Sequence, residues 1–382
     1  MYLLRHFSRI LAGIVFLFSG VVKAVDPLGT AYKFGDYFIA MGIPWMIQFS
    51  LVLAFLMIAA EFIIGWLLLF NVKTQINAWF VLGFMVLFTP VTLWLAITNA
   101  VDDCGCFGDF IHLSNWETFY KNLVILLFVL IMFFYRDRFK SFGGGLRQLT
   151  IGLAGTLLVT WIMVDAYRNL PRFDFRPFHK GANLAEDMLP VPEIAEILLV
   201  YKHGETGEEL KFTTQNLPYQ DTVLWPLIKD NFVRQEKGTV YQEFRPAKTD
   251  FIILGSDGED LSEEILKQQG FSFLILMYDI DKVRDRTFQK FLPLIAQAEE
   301  RDIPVRVITG SRYEEVEAYL GRMGAPLPHY SSDVTKIKTV IRSNPGLMLL
   351  HKGFIIDKWH HNNVPDLENY NLTAPIDAFL ER

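Results

Sequence analysis

Apolar residues dominate the first 164 positions of the chain, and polar residues become common after them. Five stretches of the first part are apolar enough for membrane-spanning helices, since a bilayer core needs about 20 mostly apolar residues in helical form. The predicted spans cover 7–22, 47–70, 76–100, 119–135 and 151–164. The pattern therefore predicts a polytopic α-helical membrane bundle, with a four-helix core over 1–140 and a fifth span and connector over 141–180.

Helix and strand patterns alternate in the last third of the chain. A hairpin is predicted over 194–202 and 208–213, and the continuous apolar run 271–277 is typical of a buried central strand. Further strands are predicted at 251–254, 305–309, 347–350 and 354–359, and helices at 261–268, 284–298, 313–320 and near Ile376. We therefore predict a soluble region over 181–382, in which a hairpin region precedes an α/β domain with a mixed sheet over about 249–382.

Basic residues fall on alternate sides of the predicted spans. Short loops rich in Lys and Arg stay in the cytoplasm, and such residues occupy the N-terminus, the second-to-third turn and the fourth-to-fifth loop: Arg5, Arg9, Lys73, Arg136, Arg138, Lys140 and Arg147. The loop 101–116 has neither Lys nor Arg. The distribution predicts a cytoplasmic N-terminus, with this loop and the C-terminal domain on the outer side of the lipid bilayer. The net charge of -6 gives no reason to expect a nucleic-acid partner.

The chain contains two cysteines, Cys104 and Cys106, which a single glycine separates in the loop 101–116, here called the Cys loop. Such a pair can hold a disulfide, exchange electrons with a partner thiol or bind a soft metal. As a structural cross-link it would close a loop of three residues, for which loop entropy gives about 1.6 kcal/mol, against about 3 kcal/mol for fifteen residues. We therefore favour a redox pair as the prediction, with the structural and metal alternatives open.

The other residues of the Cys loop shape the chemistry expected of the pair. Three acidic residues lie close by: Asp102, Asp103 and Asp109. Negative charges disfavour a thiolate, so we expect a thiol pKa above the usual value of about 8.5. The pair should then accept or relay oxidation better than it attacks. The metal alternative would use Cys104, Cys106 and His112, with one aspartate, to bind copper or zinc.

Glu61 stands in the middle of the second predicted span. A carboxylate near the bilayer centre is costly unless it is paired or protonated, so such a residue is a functional candidate. If a quinone is the electron acceptor, Glu61 and Lys23 are its expected proton and carbonyl partners. The alternative is a hydrogen bond from Glu61 to Ser19, Lys23 or Thr89 that holds the helices together.

His360 and His361 are adjacent near the end of the last predicted strand. Successive residues of a strand point to opposite faces of the sheet. We therefore expect surface residues at a strand end rather than a pair of metal ligands.

The membrane part resembles the DoxX-like families and, within them, the methylamine-utilisation family MauE. The resemblance is carried by Leu-Phe-Ser-Gly-Val-Val-Lys at 17–23, by Asp26-Pro27 and Glu61, and by Asp-Cys-Gly-Cys-Phe-Gly-Asp at 103–109. It implies a four-helix membrane bundle in a bacterial inner membrane. It also implies a role in extracytoplasmic thiol–disulfide or quinone-linked redox chemistry.

The C-terminal part resembles the thioredoxin-like fold. The resemblance is carried by Asn344-Pro345-Gly346 and the strands that follow it, which look like the cis-proline strand and terminal hairpin of redoxins. Where redoxins place Cys-x-x-Cys after the central strand, this chain reads Tyr-Asp-Ile-Asp-Lys at 278–282. The resemblance therefore implies a redox-inactive domain, in which Pro345 marks a surface for binding an extended peptide.

Two functional hypotheses follow. In the first, the chain is a membrane thiol–disulfide oxidoreductase: Cys104 and Cys106 take electrons from an extracytoplasmic thiol protein and pass them to a quinone. In the second, it is a non-enzymatic membrane anchor or assembly factor whose thioredoxin-like domain binds a partner protein.

Overall fold

The computed structural model describes residues 2–101, 103–188, 194–213, 216–242, 251–370 and 372. Five helices of this described part are long and apolar enough to cross a membrane, in agreement with the prediction. They are α1 (Tyr2–Val25), α3 (Ser50–Leu69), α4 (Thr74–Thr98), α5 (Asn115–Phe134) and α6 (Gly145–Arg168), with the shorter α2 (Pro27–Ala40) after α1 and a 3-10 turn (Pro44–Phe49) before α3. α6 is longer than predicted because polar residues at both of its ends continue the helix.

α1 and α3 pack closely because small residues lie at their contact. A Cβ atom on Gly20 of α1 would lie 2.6 Å from the backbone nitrogen of Phe62 in α3, and one on Gly65 of α3 would clash with the backbone of α1. Small residues permit this approach between membrane helices, whose association depends on packing and hydrogen bonds. The close contact places Lys23 of α1 beside Glu61 of α3.

Asp26 caps the N-terminus of α2, and its carboxylate accepts a hydrogen bond of 2.9 Å from the backbone nitrogen of Gly29. Pro27 occupies the first helical position, where its missing N–H group costs nothing. Two side chains of α2, Lys33 and Tyr37, contact the Cys loop. α2 therefore lies at the same end of the bundle as the two cysteines.

The described residues divide into two compact units, one formed by those within 1–182 and 252–382 and the other by those within 183–251. The second unit has the short helices α7 (Leu184–Asp187) and α8 (Leu224–Ile228) and an antiparallel sheet in the order β2-β1-β3. Its strands are β1 (Ile194–Lys202), β2 (Glu209–Thr213) and β3 (Phe232–Gln242). The predicted hairpin is β1 paired with β2, whereas β3 was not predicted.

The C-terminal domain (residues 252–370) contains a mixed sheet in the order β6-β5-β4-β7-β8. Its strands are β4 (Phe271–Met277), β5 (Val305–Thr309), β6 (His329–Ser331), β7 (Gly346–His351) and β8 (Phe354–His360). β4, β5 and β6 are parallel, whereas β7 runs antiparallel to both β4 and β8. The helices of the domain are α9 (Ser262–Leu266), α10 (Asp285–Phe288), α11 (Leu292–Glu299), α12 (Tyr313–Arg322) and α13 (Val334–Val340).

Several predicted elements of this domain differ in the structure. The segment 251–254 is not a strand, although Leu254 forms isolated bridges with Asp260 and Ser331. The predicted helix 284–298 is broken by a 3-10 turn into α10 and α11, and a proline stands in the first turn of α11, where it supplies no N–H group. The helix expected near Ile376 lies outside the described residues.

Candidate redox site at the Cys loop

Cys104 and Cys106 form a tight turn against the membrane bundle. Their Sγ atoms lie at bonding distance. Between them Gly105 has a φ of +61°, a left-handed conformation that favours glycine. The backbone nitrogen of Gly105 donates a hydrogen bond of 2.8 Å to Asp103. The side chains of two bundle residues hold the turn by its carbonyl groups, since Tyr37 donates to Cys104 and Ser19 donates to Cys106.

Beneath this turn, α1 and α3 bury an ion pair. The ammonium group of Lys23 lies 2.8 and 2.9 Å from the two carboxylate oxygens of Glu61 and 3.0 Å from the hydroxyl of Ser19. All three residues are buried. Glu61 therefore has two of the three partners expected of it from sequence, and Ser19 connects it to the Cys loop, because the same hydroxyl lies 2.9 Å from Glu61.

The two cysteines and the ion pair line one cavity of about 100 Å³, here called the inner cavity. Cys104, Cys106, Glu61 and Lys23 all contribute to its wall. The structure thus brings together the four residues singled out from sequence for redox chemistry. Lys121 also lines the inner cavity, close to Phe107, and sequence reasoning gave it no role.

A second cavity, of about 530 Å³, lies between the bundle and the C-terminal domain and is here called the outer cavity. Four residues line both cavities: Lys23, Thr30, Lys33 and Gly105. The cysteines themselves line only the inner cavity. The turn at Gly105 is therefore part of the wall between the two spaces, and the two cysteines border the inner one.

The acidic residues of the Cys loop are paired with cations. Lys33 lies 2.9 Å from Asp103, and Arg342 of the C-terminal domain lies 3.5 Å from Asp109. The expectation of a disfavoured thiolate rested on unpaired carboxylates, and these contacts offset two of the three charges. The third, Asp102, lies outside the described residues.

Arg342 also reaches the start of α2, where it lies 2.8 Å from Asp26. Burial by itself would raise the pKa of Asp26, but the charge of Arg342 holds that pKa below its usual value. Burial raises the pKa of Asp109 despite the attraction of Arg342. Arg342 thus joins the C-terminal domain to both α2 and the Cys loop.

The metal alternative finds little support in the geometry. His112 is mostly exposed, and its Nδ1 atom lies 4.0 Å from Asp103. Within the residues that the structure describes, no group of three or more His, Cys, Asp or Glu side chains is close enough to hold a metal ion.

Pro345 is buried, and the Asn344–Pro345 peptide bond is cis. The side-chain amide of Asn344 donates a hydrogen bond of 2.6 Å to the carbonyl group of Asp279, in the segment that follows β4. Two residues of that segment, Tyr278 and Lys282, line the outer cavity. The face of the C-terminal domain around Pro345 is therefore turned toward the membrane bundle.

The expectation of two surface histidines was wrong for His360. Its side chain is buried at the end of β8, and burial lowers its pKa to about 3. The rings of His360 and His361 lie 3.9 Å apart, because the chain leaves the sheet at this point and the alternation of a strand no longer applies.

Comparison with known families is consistent with this membrane site. Residues 1–135 match the family model described as Methylamine utilisation protein MauE. Residues 1–135 are MauE-like. The match holds α1 to α5 and the Cys loop, so the protein is a membrane protein with several spans. Searches of curated proteins and of solved structures gave no match.

Proposed function

We propose that the protein is a membrane thiol–disulfide oxidoreductase that oxidises an extracytoplasmic thiol protein and passes the electrons to a quinone. The observation that carries the proposal is the inner cavity, whose wall holds Cys104, Cys106, Glu61 and Lys23 together. A redox pair, a carboxylate and a cation in one small space are the groups that a transfer of electrons and protons needs.

The proposed transfer of electrons and protons has two steps. In the first, two thiol groups of the partner form a disulfide, and the Cys104–Cys106 disulfide gains the two electrons and two protons as two thiols. In the second, these thiols form their disulfide again, and the quinone gains the same two electrons and two protons as a quinol. Glu61 is the group in the cavity suited to carry protons between sulfur and quinone oxygen, and Lys23 holds it in place at 2.8 Å.

The distribution of basic residues supports an inner-membrane topology with the Cys loop and the C-terminal domain outside. The strand order β6-β5-β4-β7-β8 and the position of Pro345 directly before β7 support a thioredoxin-like fold for the C-terminal domain. That domain has no cysteine, so its part in the relay is to bind or orient the partner.

The in-cell redox state of the cysteines tests the relay. Cells are quenched with acid, and thiols are labelled with a mass-tagged maleimide before and after reduction, with and without respiratory quinone. We expect a disulfide that becomes a dithiol when quinone is depleted. The Cys104→Ser variant supplies the pattern of a chain that cannot form the bond. A redox state that is the same with and without quinone contradicts the proposal.

A second candidate is a membrane anchor or assembly factor, favoured by the contact of Arg342 with Asp26 and Asp109. That contact joins a thiol-free domain to the bundle without need of the cysteines. In this case deletion of residues 165–382 should abolish function, whereas replacement of both cysteines by serine should not.

A further inference from the structure

Lys121 brings a positive charge into the inner cavity from α5. Ser114 caps the helix, and the Ser114 hydroxyl and the Glu117 carboxylate accept hydrogen bonds from each other's backbone nitrogens. This start places Lys121 in the second turn, next to the buried Asn122. The ammonium group of Lys121 lies 4.2 Å from the centre of the Phe107 ring, which follows Cys106 in the chain.

Lys23 and Lys121 differ in how many of their hydrogen-bond donors have a partner among the described residues. An ammonium group has three N–H donors. Those of Lys23 face both oxygens of Glu61 and the hydroxyl of Ser19. Lys121 forms no ion pair or hydrogen bond with a residue that the structure describes, and its contact is with the face of an aromatic ring. Lys121 is thus a cavity cation that has all of its donors left for a ligand.

The charges around the inner cavity favour an anion. Three lysines line it, namely Lys23, Lys33 and Lys121. Glu61 neutralises the first and Asp103 the second. The charge of Lys121 is left over, and an ammonium group held in apolar surroundings strongly stabilises negative charge that forms beside it.

The remaining wall is suited to a planar ring. A cavity of about 150 Å³ accepts a benzene ring, so a volume of about 100 Å³ leaves room for at most one ring and none for a folded peptide segment. Aromatic side chains make up much of the lining: Phe16, Phe34, Tyr37, Phe84, Phe88 and Phe107.

We propose that Lys121 donates a hydrogen bond to a carbonyl oxygen of a quinone ring in the inner cavity and stabilises the negative charge which that oxygen gains on reduction. The inference rests on the proposed function, in which the quinone is the electron acceptor. Two electrons and two protons leave the thiols of Cys104 and Cys106 as their disulfide forms, and the two carbonyl oxygens of the quinone become hydroxyls. Lys121 keeps its own protons overall.

A measurement of quinone binding tests the role of Lys121 without the need to measure turnover. The full-length protein in lipid nanodiscs is titrated with a short-chain ubiquinone analogue, and binding is followed by calorimetry. Since a hydrogen bond from a charged donor contributes about 1.5–3 kcal/mol, Lys121→Met should weaken binding at least about tenfold. Lys121→Arg keeps the charge and should retain most of the affinity. Lys140→Met, a change at an exposed lysine outside the cavity, should have no effect.

The role of Lys121 and the identity of the quinone as electron acceptor can fail separately in this experiment. Equal affinity in the wild type and in Lys121→Met overturns the role of Lys121 while leaving the quinone acceptor in place. If the wild type binds no quinone analogue, the quinone acceptor is wrong and the proposed function fails with it. Should Lys121→Met fail to fold in a thermal melt, Lys121→Gln removes the charge with less change in polarity, and the same comparison decides.

Discussion

The hydroxyl of Ser19 donates a hydrogen bond of 2.8 Å to the carbonyl group of Cys106. The same hydroxyl lies 2.9 Å from Glu61. One small side chain therefore connects the turn that carries the sulfur atoms to the buried ion pair. Since a hydroxyl has a single proton, Ser19 can donate to only one of these acceptors at a time, and the two contacts depend on each other.

Ser19→Ala should loosen the Cys loop, because a partly buried carbonyl group loses its donor, at a cost of up to about 1–3 kcal/mol. The expected result is faster labelling of the reduced cysteines by a bulky maleimide, together with a lower melting temperature. Ser8→Ala is a suitable control: Ser8 is buried in the same helix, but its hydroxyl bonds only to the carbonyl group of Leu4. Equal labelling rates in the two variants would contradict the role given to Ser19.

Glu61→Gln should destabilise the bundle, since it leaves the buried charge of Lys23 without its counter-charge. Removing one partner of a buried ion pair costs about 3–5 kcal/mol, whereas replacing both by apolar groups is often nearly neutral. The double variant Lys23→Met with Glu61→Leu should therefore melt closer to the wild type than either Lys23→Met or Glu61→Gln. Melting temperatures in one detergent give the comparison, and additive losses would argue against a coupled pair.

Gly20→Ala should weaken the contact of α1 with α3, because the added methyl group would lie 2.6 Å from the backbone of Phe62. Gly83→Ala offers a matched control, since a Cβ atom at Gly83 of α4 has no neighbour within 4 Å. Alanine favours a helix over glycine by about 1 kcal/mol. The control should thus be neutral or stabilising, while Gly20→Ala lowers the melting temperature. A stabilising Gly20→Ala would show that the helices can separate without loss.

His360 should make the protein less stable in acid. Its pKa of about 3 in the folded chain lies below the usual 6.5, so between these values the unfolded chain binds the extra proton. Stability should then fall as the pH drops below about 6.5, by at most about 1.4 kcal/mol per pH unit.

His360→Phe keeps a ring in this site and should reduce that acid sensitivity, measured as melting temperature between pH 7 and about 5. Replacement of the exposed His179 by Gln serves as the control. Burial also lowers the pKa of His361, so part of the acid sensitivity should remain in His360→Phe. If His360→Phe shows the same pH dependence as the wild type, a group other than His360 causes the acid sensitivity.

The membrane part of the fold could be predicted because its signal is local. Long apolar runs predicted five spans, and a carboxylate within one of them identified Glu61 as a residue that needs a partner. Ser19 and Lys23, two of its three expected partners, lie four residues apart in α1 and so share one face of that helix. The hairpin of β1 and β2 and the central strand β4 likewise follow from short patterns.

The contacts that assemble the site join residues far apart in the chain, and local sequence patterns do not indicate them. Arg342 meets Asp26 across 316 positions of the chain, and a single basic residue near a proline gives no signal for such a partner. Lys121 lies at the edge of an apolar run, and this position indicated only the polar start of a span. β3 was missed because its polar and apolar positions do not alternate with a clear period, and α13 because its seven residues are too few for a helical period to stand out.

The position of Gly105 in the wall between the inner and outer cavities has a kinetic consequence. If the proposed relay is right, the quinone occupies the inner cavity, and the thiol partner, which is too large for that cavity, reaches the same disulfide from the outer side of the turn. One pair of sulfur atoms then serves the two half-reactions in turn. Turnover should follow a double-displacement scheme, with parallel lines in double-reciprocal plots.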